Sequence, residues 1–282
     1  MSATLLEMRA FRAVAFAWVL LAGACAAFSS APVEAPAADA STPDASAPQA
    51  DGAGAADGSV GCAAYASKYC WDFAEIDPQA RFDFANRSGA ERVLRDTQIF
   101  LSSPASFFSE VKPNAAQSAA RVGKSLGAPR DGTYRVGASI NVEACEGSQN
   151  GRPTYLEIYC PTAGAVQATN LMRVEWAGQN RLAVGAYGRI DADGGRTNLG
   201  LEEIDFPDGR WGRIEVEVVV GMEGRVSAWY DGVPIRPLSG PTVCAGATEI
   251  QLLLGVQHRY VSPAASARCA VRFDDVTLDG PP

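Results

Sequence analysis

Hydrophobic and polar residues alternate on both sides of a glycine-bounded tip in the segment Trp211–Gly232. The alternation over Ile214–Val218 has the period of a strand with one buried face. It resumes over Arg225–Asp231, after the tip at Gly221–Gly224. Two alternating runs around a short loop predict a β-hairpin, and this hairpin is the clearest element of the chain.

The charged residues of the hairpin define its two faces. Glu215 and Glu217 are expected to face water, so the apolar residues that alternate with them face inward. The return strand agrees with this division if the loop has three residues, Met222–Gly224, with Gly224 in the left-handed position of a bulged turn. Trp229 then lies outside. The predicted inward set is Ile214, Val216, Val218, Val226, Ala228 and Tyr230, and the predicted outward set is Glu215, Glu217, Arg225, Ser227 and Trp229.

The rest of the segment 59–282 has the same character. Short alternating or apolar runs such as Cys70–Ile76, Thr133–Glu143 and Ala270–Leu278 are separated by turn-rich pieces, and no helical periodicity persists over several turns. Many short strands between Gly, Pro, Asn and Asp predict an all-β sandwich or barrel. A sandwich of this length is within the range of a single domain.

The segment 1–24 has the pattern of a signal peptide. Two arginines precede the apolar run Ala13–Leu21, which is too short to span a bilayer by itself. The adjoining Leu21–Cys25 resembles the lipobox of bacterial lipoproteins, in which the cysteine is lipidated. Ordinary cleavage after Ala24 or Ala27 is the alternative. Both alternatives predict a mature protein outside the cytoplasm.

The segment 25–58 is predicted to be a tether. After Cys25 it consists mainly of Ala, Pro, Ser, Asp and Gly, with almost no large apolar residue. Such a composition buries too little surface to offset its ordering entropy, so we expect disorder. Behind a lipidated Cys25, the tether would hold the domain away from the membrane. No later segment has the composition of a transmembrane helix, so the lipid is the one membrane contact that we expect.

The cysteine count supports export. The chain has seven cysteines, and six remain if Cys25 carries lipid. An even number in an exported protein predicts disulfides. A zinc site is poorly supported, because the sequence has no CxxC motif and His258 is its only histidine. Proximity along the chain favours the pairs Cys62–Cys70, Cys145–Cys160 and Cys244–Cys269.

The charge of the chain excludes one class of partner. Its formal net charge is −8, with a sequence pI near 4.8, and 47% of its residues are hydrophobic. Nucleic-acid binding needs clustered Lys and Arg, so we expect no nucleic-acid partner. The hydrophobic fraction is that of a folded protein.

Several stretches together resemble the concanavalin A-like jelly roll, and its laminin-G-like branch most closely. Trp211 opens a strand that is followed by a glycine-rich tip and a second strand ending in Tyr230–Val233. The last strand, Val271–Val276, and the opening Tyr69–Phe73 resemble the paired end strands of such domains. The resemblance implies a two-sheet antiparallel jelly-roll sandwich. It implies little about function, because the family contains lectins, glycoside hydrolases, protein-binding modules and adhesive domains.

One stretch resembles the catalytic strand of the glucanases in this superfamily, which carry Glu-x-Asp-x-Glu or a form with one further residue before the last Glu. Glu203–Phe206 matches its beginning, but in the longer form the general acid would be Asp208. Asp208 stands in Pro207–Gly209, which is typical of a turn. A glycoside hydrolase is therefore disfavoured. Catalysis through His258 is also disfavoured, since no activated nucleophile is identifiable beside it.

A calcium ion is the one cofactor that the sequence suggests. Asp191 and Asp193 precede two glycines and supply carboxylate oxygens at alternate positions, as calcium loops do. The alternative is a plain Asp-Gly hairpin turn.

Trp229 is the main functional lead in the sequence. On the predicted outer face it is flanked by Glu217, Arg225 and Ser227. An exposed indole among hydrogen-bonding groups can stack on the apolar C–H face of a sugar ring. The alternative is that a loop covers Trp229 or that it lies in the core, because tryptophan is usually well buried.

We therefore expect a bacterial cell-envelope protein, secreted or anchored to the outer membrane by lipid. Its jelly roll is expected to be a non-catalytic binding or adhesive module for a polysaccharide, another surface polymer or a surface protein. A glycoside hydrolase of the same fold and a structural envelope protein without a ligand are the alternatives.

Overall fold

Fifteen β-strands account for about two thirds of the described residues in a computed structural model, and turns and loops account for nearly all of the rest. The described residues are Cys62, 67–74, 77, 79–87, 92–102, 104–111, 118–143, 145, 152–161, 169–190, 196–258 and 268–281, without the side chains of 188–190 and 196–197. The predicted signal peptide 1–24, the tether 25–58 with Cys25, and the predicted calcium loop with Asp191 and Asp193 lie outside these residues. Within them, no helix is long and apolar enough to cross a membrane.

The strands follow one another along the chain with short connections. They are β1 Tyr69–Trp71, β2 Phe84–Arg87, β3 Arg92–Asp96, β4 Ser106–Val111, β5 Ser118–Ser125, β6 Gly132–Val142, β7 Thr154–Cys160, β8 Thr169–Gly178, β9 Arg181–Ile190, β10 Arg196–Asp205, β11 Trp211–Val220, β12 Arg225–Tyr230, β13 Val233–Ser239, β14 Gln251–His258 and β15 Cys269–Asp279.

These strands form two antiparallel sheets, which confirms the predicted all-β, two-sheet jelly-roll sandwich. The first sheet has the order β13-β12-β11-β6-β15-β4-β3, with β1 paired to β15. The second sheet has the order β10-β9-β8-β7-β14-β5-β2. The pairing of β1 with β15 brings together the beginning and the end of the described domain, as the family resemblance implied.

Inward side chains of both sheets meet in one core. Aromatic rings form a cluster within this core. The ring centroids of Trp71 and Phe82 lie 5.3 Å apart, and those of Phe73 and Phe107 lie 5.5 Å apart. Phe273 of β15 continues the cluster, 5.9 Å from Phe107. Burial of such large apolar surfaces is the main stabilising contribution to the fold.

The central hairpin has the predicted faces but a different loop. Val216 pairs with Ala228 and Glu217 with Ser227, so the apolar set faces inward and the polar set outward. The last pair of the hairpin is Val219 with Arg225, so five residues, Val220–Gly224, lie between the paired strands, not three. The pairing is shifted by two residues from the predicted one. Two residues is the period of a strand, so the shift leaves the faces unchanged.

Gly224 serves a different purpose from the predicted left-handed turn position. Thr242 crosses directly over it, and a β-carbon at position 224 would overlap the Thr242 hydroxyl. The Thr242 amide donates to the Gly221 carbonyl at 2.9 Å, and the Gly240 amide donates to the Gly224 carbonyl at 3.0 Å. Glycine is thus required here by the close approach of a neighbouring segment.

All six predicted cysteines form disulfides, but only one predicted pair is correct. Cys62 pairs with Cys70 as expected, whereas the other bonds are Cys145–Cys269 and Cys160–Cys244. The reason is sheet adjacency. Cys145 follows β6, and β6 pairs with β15, which begins at Cys269. Cys160 ends β7, and β7 pairs with β14, which begins at Gln251 in the segment after Cys244. Proximity along the chain could not reveal these neighbours.

A first prediction concerns Gly224. Gly224→Ala should lower the free energy of unfolding by about 1–3 kcal/mol, because Thr242 or the hairpin must move to admit the methyl group. Urea unfolding of the variant measures this. Ser227→Ala, on the outer face of the same hairpin, is the control and should change stability by less than about 0.5 kcal/mol. Equal stability of Gly224→Ala and wild type would contradict the close approach.

A second prediction concerns His258, which ends β14 and is 2% exposed. Burial lowers its pKa from 6.5 to about 4, so the unfolded chain binds a proton that the folded protein does not. Stability should therefore fall by about 2 kcal/mol as the pH falls from 6.5 towards 4. His258→Phe keeps a ring but cannot titrate, so it should lose this contribution.

Urea unfolding of both proteins over this pH range tests the idea. The stability difference between wild type and His258→Phe isolates the residue, since it is the only histidine. A difference that does not change with pH would show that His258 does not titrate on unfolding.

Candidate functional site

The outer face of the second sheet carries a continuous group of charged and polar side chains. Val174 of β8 points into the core, so its neighbours Arg173 and Glu175 point outward. Glu157 of β7 stands opposite Arg173, and Gly185 of β9 stands on its other side. We call this group, together with Arg152 at the start of β7, the charged face. Its members are Arg121, Arg152, Glu157, Arg173, Glu175, Arg181, Tyr187, Glu203 and Gln257.

One end of the charged face is a buried ion pair with an amide. Arg121 Nη1 donates to Gln257 Oε1 at 2.6 Å and to Glu157 Oε2 at 3.1 Å. Glu157 is 1% exposed although it points away from the core. A carboxylate this deeply buried must be paired to be tolerated, so the guanidinium and the amide are held in a fixed arrangement.

The middle of the charged face is organised around Tyr187. Its ring lies under the Arg173 guanidinium, whose carbon is 4.0 Å from the ring centroid. A β-carbon at Gly185 would lie 3.0 Å from the Tyr187 hydroxyl, so the absence of a side chain there lets the ring fold over the sheet. The charges of Arg173 and Glu175 both act on the pKa of the phenol, so both groups lie close to it. Tyr187 thus lies between a cation and a carboxylate.

Burial shifts the proton affinities of this pair. It raises the pKa of the Glu175 carboxyl, against the opposing charges of Arg173 and Arg152. It also raises the pKa of the Tyr187 phenol, which therefore carries its proton at neutral pH. A carboxyl with a raised pKa therefore lies beside a protonated phenol, and perturbed titratable groups of this kind cluster at functional sites.

The outer end of the charged face contains Glu203, the first residue of the stretch that resembles the catalytic strand of the glucanases. Glu203 faces outward and binds Arg152 at 2.9 Å and Arg181 at 2.8 Å. The residue required as general acid, Asp208, lies in a turn after β10 and exchanges hydrogen bonds with Asn180, at 2.9 and 3.2 Å. The predicted turn is confirmed, and the carboxylates of a retaining glucanase are not assembled.

The predicted sugar site lies on the outer face of the first sheet. Trp229, Glu217, Arg225 and Ser227 all line one cavity of about 690 Å³, which we call the Trp229 cavity. Trp229 is partly exposed and points away from the core, so the alternative of a core position is wrong. The structure therefore brings all four predicted residues together.

Glu217 departs from the prediction that it faces water. It points outward but is only 9% exposed. Arg135 lies 2.7 Å from one carboxylate oxygen and Arg225 lies 3.4 Å from the other. The two guanidinium groups cover the carboxylate, which sequence alternation alone does not reveal.

Within the described residues, no group of three or more His, Cys, Asp or Glu is arranged to hold a metal ion. Asp274 and Asp275 of β15 form a fully buried pair of carboxyl groups. The Ser102 hydroxyl lies 2.8 Å from an oxygen of each, and burial raises the pKa of Asp274 to about 6. Asp275 Oδ2 has no hydrogen-bond partner among the described residues. Carboxylate oxygens are what a hard cation such as calcium prefers.

The sequence analysis did not identify the charged face. The sequence contains one local signal for it. Arg173 and Glu175 alternate with apolar residues, so they would share one face of a strand. Such alternation is also what an ordinary solvated strand shows. Only the order of the strands in the sheet reveals that Arg121, Glu157 and Gln257 lie beside them.

Comparisons with known proteins concern the fold. No protein-family model and no curated protein matches this sequence. Among solved structures, endo-β-1,4-glucuronan lyase from the fungus Trichoderma reesei has a TM-score of 0.62 at 13% identity, over 76% of this chain and 96% of that one. The cellulose induced protein Cip1 has a TM-score of 0.53 at 18% identity, over 75% and 97%. The alginate lyase Aly36B has a TM-score of 0.51 at 12% identity, over 74% and 94%.

These neighbours correct the expected function. The prediction of a non-catalytic binding or adhesive module is wrong, because two of these three structures are polysaccharide lyases. The glycoside hydrolase alternative does not match them either, since a lyase cleaves by elimination. The chain thus shares its jelly-roll sandwich, consistent with the concanavalin A-like superfamily, with enzymes that degrade polysaccharides.

Proposed function

We propose that this protein is a polysaccharide lyase that cleaves an acidic, uronate-containing polysaccharide on the charged face. The observation that carries the proposal is the position of Tyr187, whose ring centroid lies 4.0 Å from the Arg173 guanidinium carbon, beside the buried carboxyl of Glu175. The fold shared with a glucuronan lyase and an alginate lyase supports it.

The reaction defines what the site must supply. In elimination from a uronate, the carbon next to the carboxylate loses a proton and the glycosidic C–O bond at the adjacent carbon breaks. The departing oxygen takes up a proton, and the product has a double bond conjugated to its carboxylate. The protein must therefore stabilise the negative charge on the carboxylate and move one proton from carbon to oxygen.

Arg173 is suited to the first task. A guanidinium is always charged, and its planar array of donors matches a carboxylate. Its Nε has no hydrogen-bond partner among the described residues, and the nearest carboxylate oxygen, of Glu175, lies 3.9 Å away. An unsatisfied buried donor costs free energy in the folded protein. That nitrogen is itself shielded from solvent, so a substrate carboxylate would meet the exposed edge of the guanidinium, whose side chain is 14% exposed.

Tyr187 and Glu175 are suited to the second task. Tyr187 is the more exposed of the two and is placed to meet the sugar, whereas Glu175 lies behind it and is 4% exposed. Ionised Glu175 can take the phenol proton, and the Tyr187 oxygen can then take the proton from carbon and give it to the departing oxygen. The proton held by Glu175 returns to the phenol oxygen, which restores the starting protonation of the pair. Arg173 offsets negative charge on the phenol oxygen during the exchange.

The extent of the charged face suits a polymer. It runs across six neighbouring strands, from β5 to β10. At about 4.8 Å between strands this is roughly 24 Å, enough for several sugar units. A chain lying across the strands would place an internal bond over Tyr187, near β8 and β9.

Export fits this function, because the polymers that lyases degrade lie outside the cell. The three disulfides mark a protein that folds in an oxidising compartment. The finer predictions stay proposals: a signal peptide, lipid on Cys25, an outer-membrane location, a laminin-G-like branch, and calcium at Asp191 and Asp193.

The third prediction tests the reaction. Wild type should convert polyglucuronate or alginate into products with the ultraviolet absorbance of the conjugated double bond. Tyr187→Phe removes only the hydroxyl and should lower kcat by about 10²–10⁴-fold, because proton transfer is lost. Tyr159→Phe removes a hydroxyl from β7 of the same sheet, outside the charged face, and should retain activity.

Two results would contradict the proposal. Release of new reducing ends without the absorbance would identify a hydrolase. Full activity of Tyr187→Phe would remove the assigned proton-transfer residue and with it the location of the site.

The fourth prediction concerns the pH dependence. Glu175 must be ionised to accept a proton, so kcat/KM should fall as the pH falls through its raised pKa. Arg152 lies 3.8 Å from Glu175 and lowers that pKa by its charge. Arg152→Gln should therefore move the acidic limb of the pH profile to higher pH.

Arg181→Gln is the matched control. Arg181 binds Glu203, as Arg152 does, but the ion pairs of Glu175 among the described residues are with Arg152 and Arg173. Its acidic limb should coincide with that of wild type. An acidic limb that shifts equally in both variants, or in neither, would show that Glu175 does not set it.

A further inference from the structure

We propose that the Trp229 cavity is a second carbohydrate site, separate from the charged face, that holds pyranose units through their hydroxyl groups and their C–H face. It lies on the other sheet, across strands β12, β11, β6 and β15. The statement that the ligand belongs to the polysaccharide being cleaved rests on the proposed function. The statement that the cavity binds sugar is independent of the proposed function.

The register of the sheet builds the cavity from two rows of outward positions. In one row, Ser227, Glu217 and Arg135 lie side by side on β12, β11 and β6. In the next row Trp229 stands beside Glu215, and Gly137 follows on β6. The Arg213 guanidinium lies over Gly137, in the space that a side chain there would need, while Trp229 forms a wall. The volume of about 690 Å³ is that of a site for a small ligand, and one or two sugar rings fill such a space.

The charges of the Trp229 cavity are balanced. Glu217 is shared by Arg135 and Arg225, and Arg213 lies 2.9 Å from Glu215. Asp279, also in the lining, accepts a hydrogen bond from the Lys68 amide at 2.6 Å. Three guanidinium groups and three carboxylates thus face one space. A balanced set attracts neither anions nor cations strongly but offers many donors and acceptors.

Arg213 and Glu217 are held in place by their partners, whereas the side chains of Arg135 and Arg225 are 68% and 53% exposed. The guanidinium of Arg213 also donates to the Asp275 carbonyl and to the Thr277 hydroxyl, each at 3.2 Å. The two oxygens of Glu217 each face a different arginine, and the carboxylate is 9% exposed. Preorganised planar groups lose little entropy when they hydrogen-bond to neighbouring hydroxyls of a sugar.

Trp229 supplies the apolar surface. Its partly exposed indole rises beside the polar floor, so a ring that hydrogen-bonds to the floor can place its C–H face on the indole. Tryptophan combines a large apolar face with little conformational entropy, which suits it to this contact. Balanced charge, rigid polar groups and one aromatic wall together favour recognition of hydroxyls over recognition of a carboxylate.

The experiment uses a pair of ligands that differ only in charge. One is a uronate oligosaccharide, and the other is the same oligosaccharide with its carboxylates reduced to alcohols. The reduced ligand lacks the acidic C–H bond, so it cannot undergo the elimination. Calorimetry with the full chain should show saturable binding of the reduced ligand, and raising the salt concentration should weaken this binding by less than about twofold.

Variants locate the binding. Trp229→Ala should weaken binding of the reduced ligand at least about tenfold, as expected for loss of a stacked aromatic contact. Arg225→Gln, at an exposed side chain, should weaken it without endangering the fold. Trp211→Ala is the control, because Trp211 is an outward tryptophan of the same sheet that does not line the cavity. All three should cleave short uronate oligosaccharides at the wild-type rate.

The outcomes separate this inference from the proposed function. Cleavage that depends on Tyr187, without Trp229-dependent binding of the reduced ligand, would overturn the second site and leave the lyase standing. Trp229-dependent binding without any cleavage would support the second site and remove the lyase. Binding of the uronate form alone would overturn recognition through hydroxyls.

Discussion

Burial of inward side chains from both sheets in one core fixes the direction of every other side chain. Val174 and Val216 are fully or almost fully buried, at 0% and 2% exposure, one in each sheet. The strand period then turns Arg173 and Glu175 outward on one side and Glu217 outward on the other. The charged face and the Trp229 cavity are therefore consequences of the same packing, and a shift of one residue in either strand would destroy both the core and the site.

Three carboxylates that point outward from the sheets are nevertheless buried, although an outward position on a sheet is usually exposed to water. Glu157, Glu175 and Glu217 are 1%, 4% and 9% exposed, and each lies within 4 Å of an arginine. A buried ion pair contributes little net stability compared with apolar residues of similar size, because desolvation offsets the attraction. Stability alone therefore does not account for these residues. Fixed positions for guanidinium and carboxylate groups are what a binding or catalytic site requires.

Local pattern was sufficient for the fold class and for the faces of the hairpin. Alternation depends only on neighbours two residues apart, so the inward position of Val216 and the outward position of Trp229 followed from the sequence. The disulfides did not, since Cys145 and Cys269 meet only because β6 and β15 are adjacent. The burial of Glu217 and the existence of the charged face also depend on strand order. Contacts between distant segments leave no local signal in a single sequence.

The two outer faces differ in the chemistry that they offer. The charged face holds a phenol and a buried carboxyl beside a guanidinium whose Nε has no hydrogen-bond partner within the described part of the chain. The Trp229 cavity holds paired charges and an indole, with no phenol or imidazole in its described lining.

Binding energy gained at the Trp229 cavity would lower KM without changing the chemical step at the charged face. Because the faces belong to different sheets, an oligosaccharide confined to one face cannot occupy both sites. A long chain can, since its second contact is made at the effective concentration set by the intervening polymer. The benefit of the cavity should therefore grow with substrate length and vanish for oligosaccharides that span only the charged face.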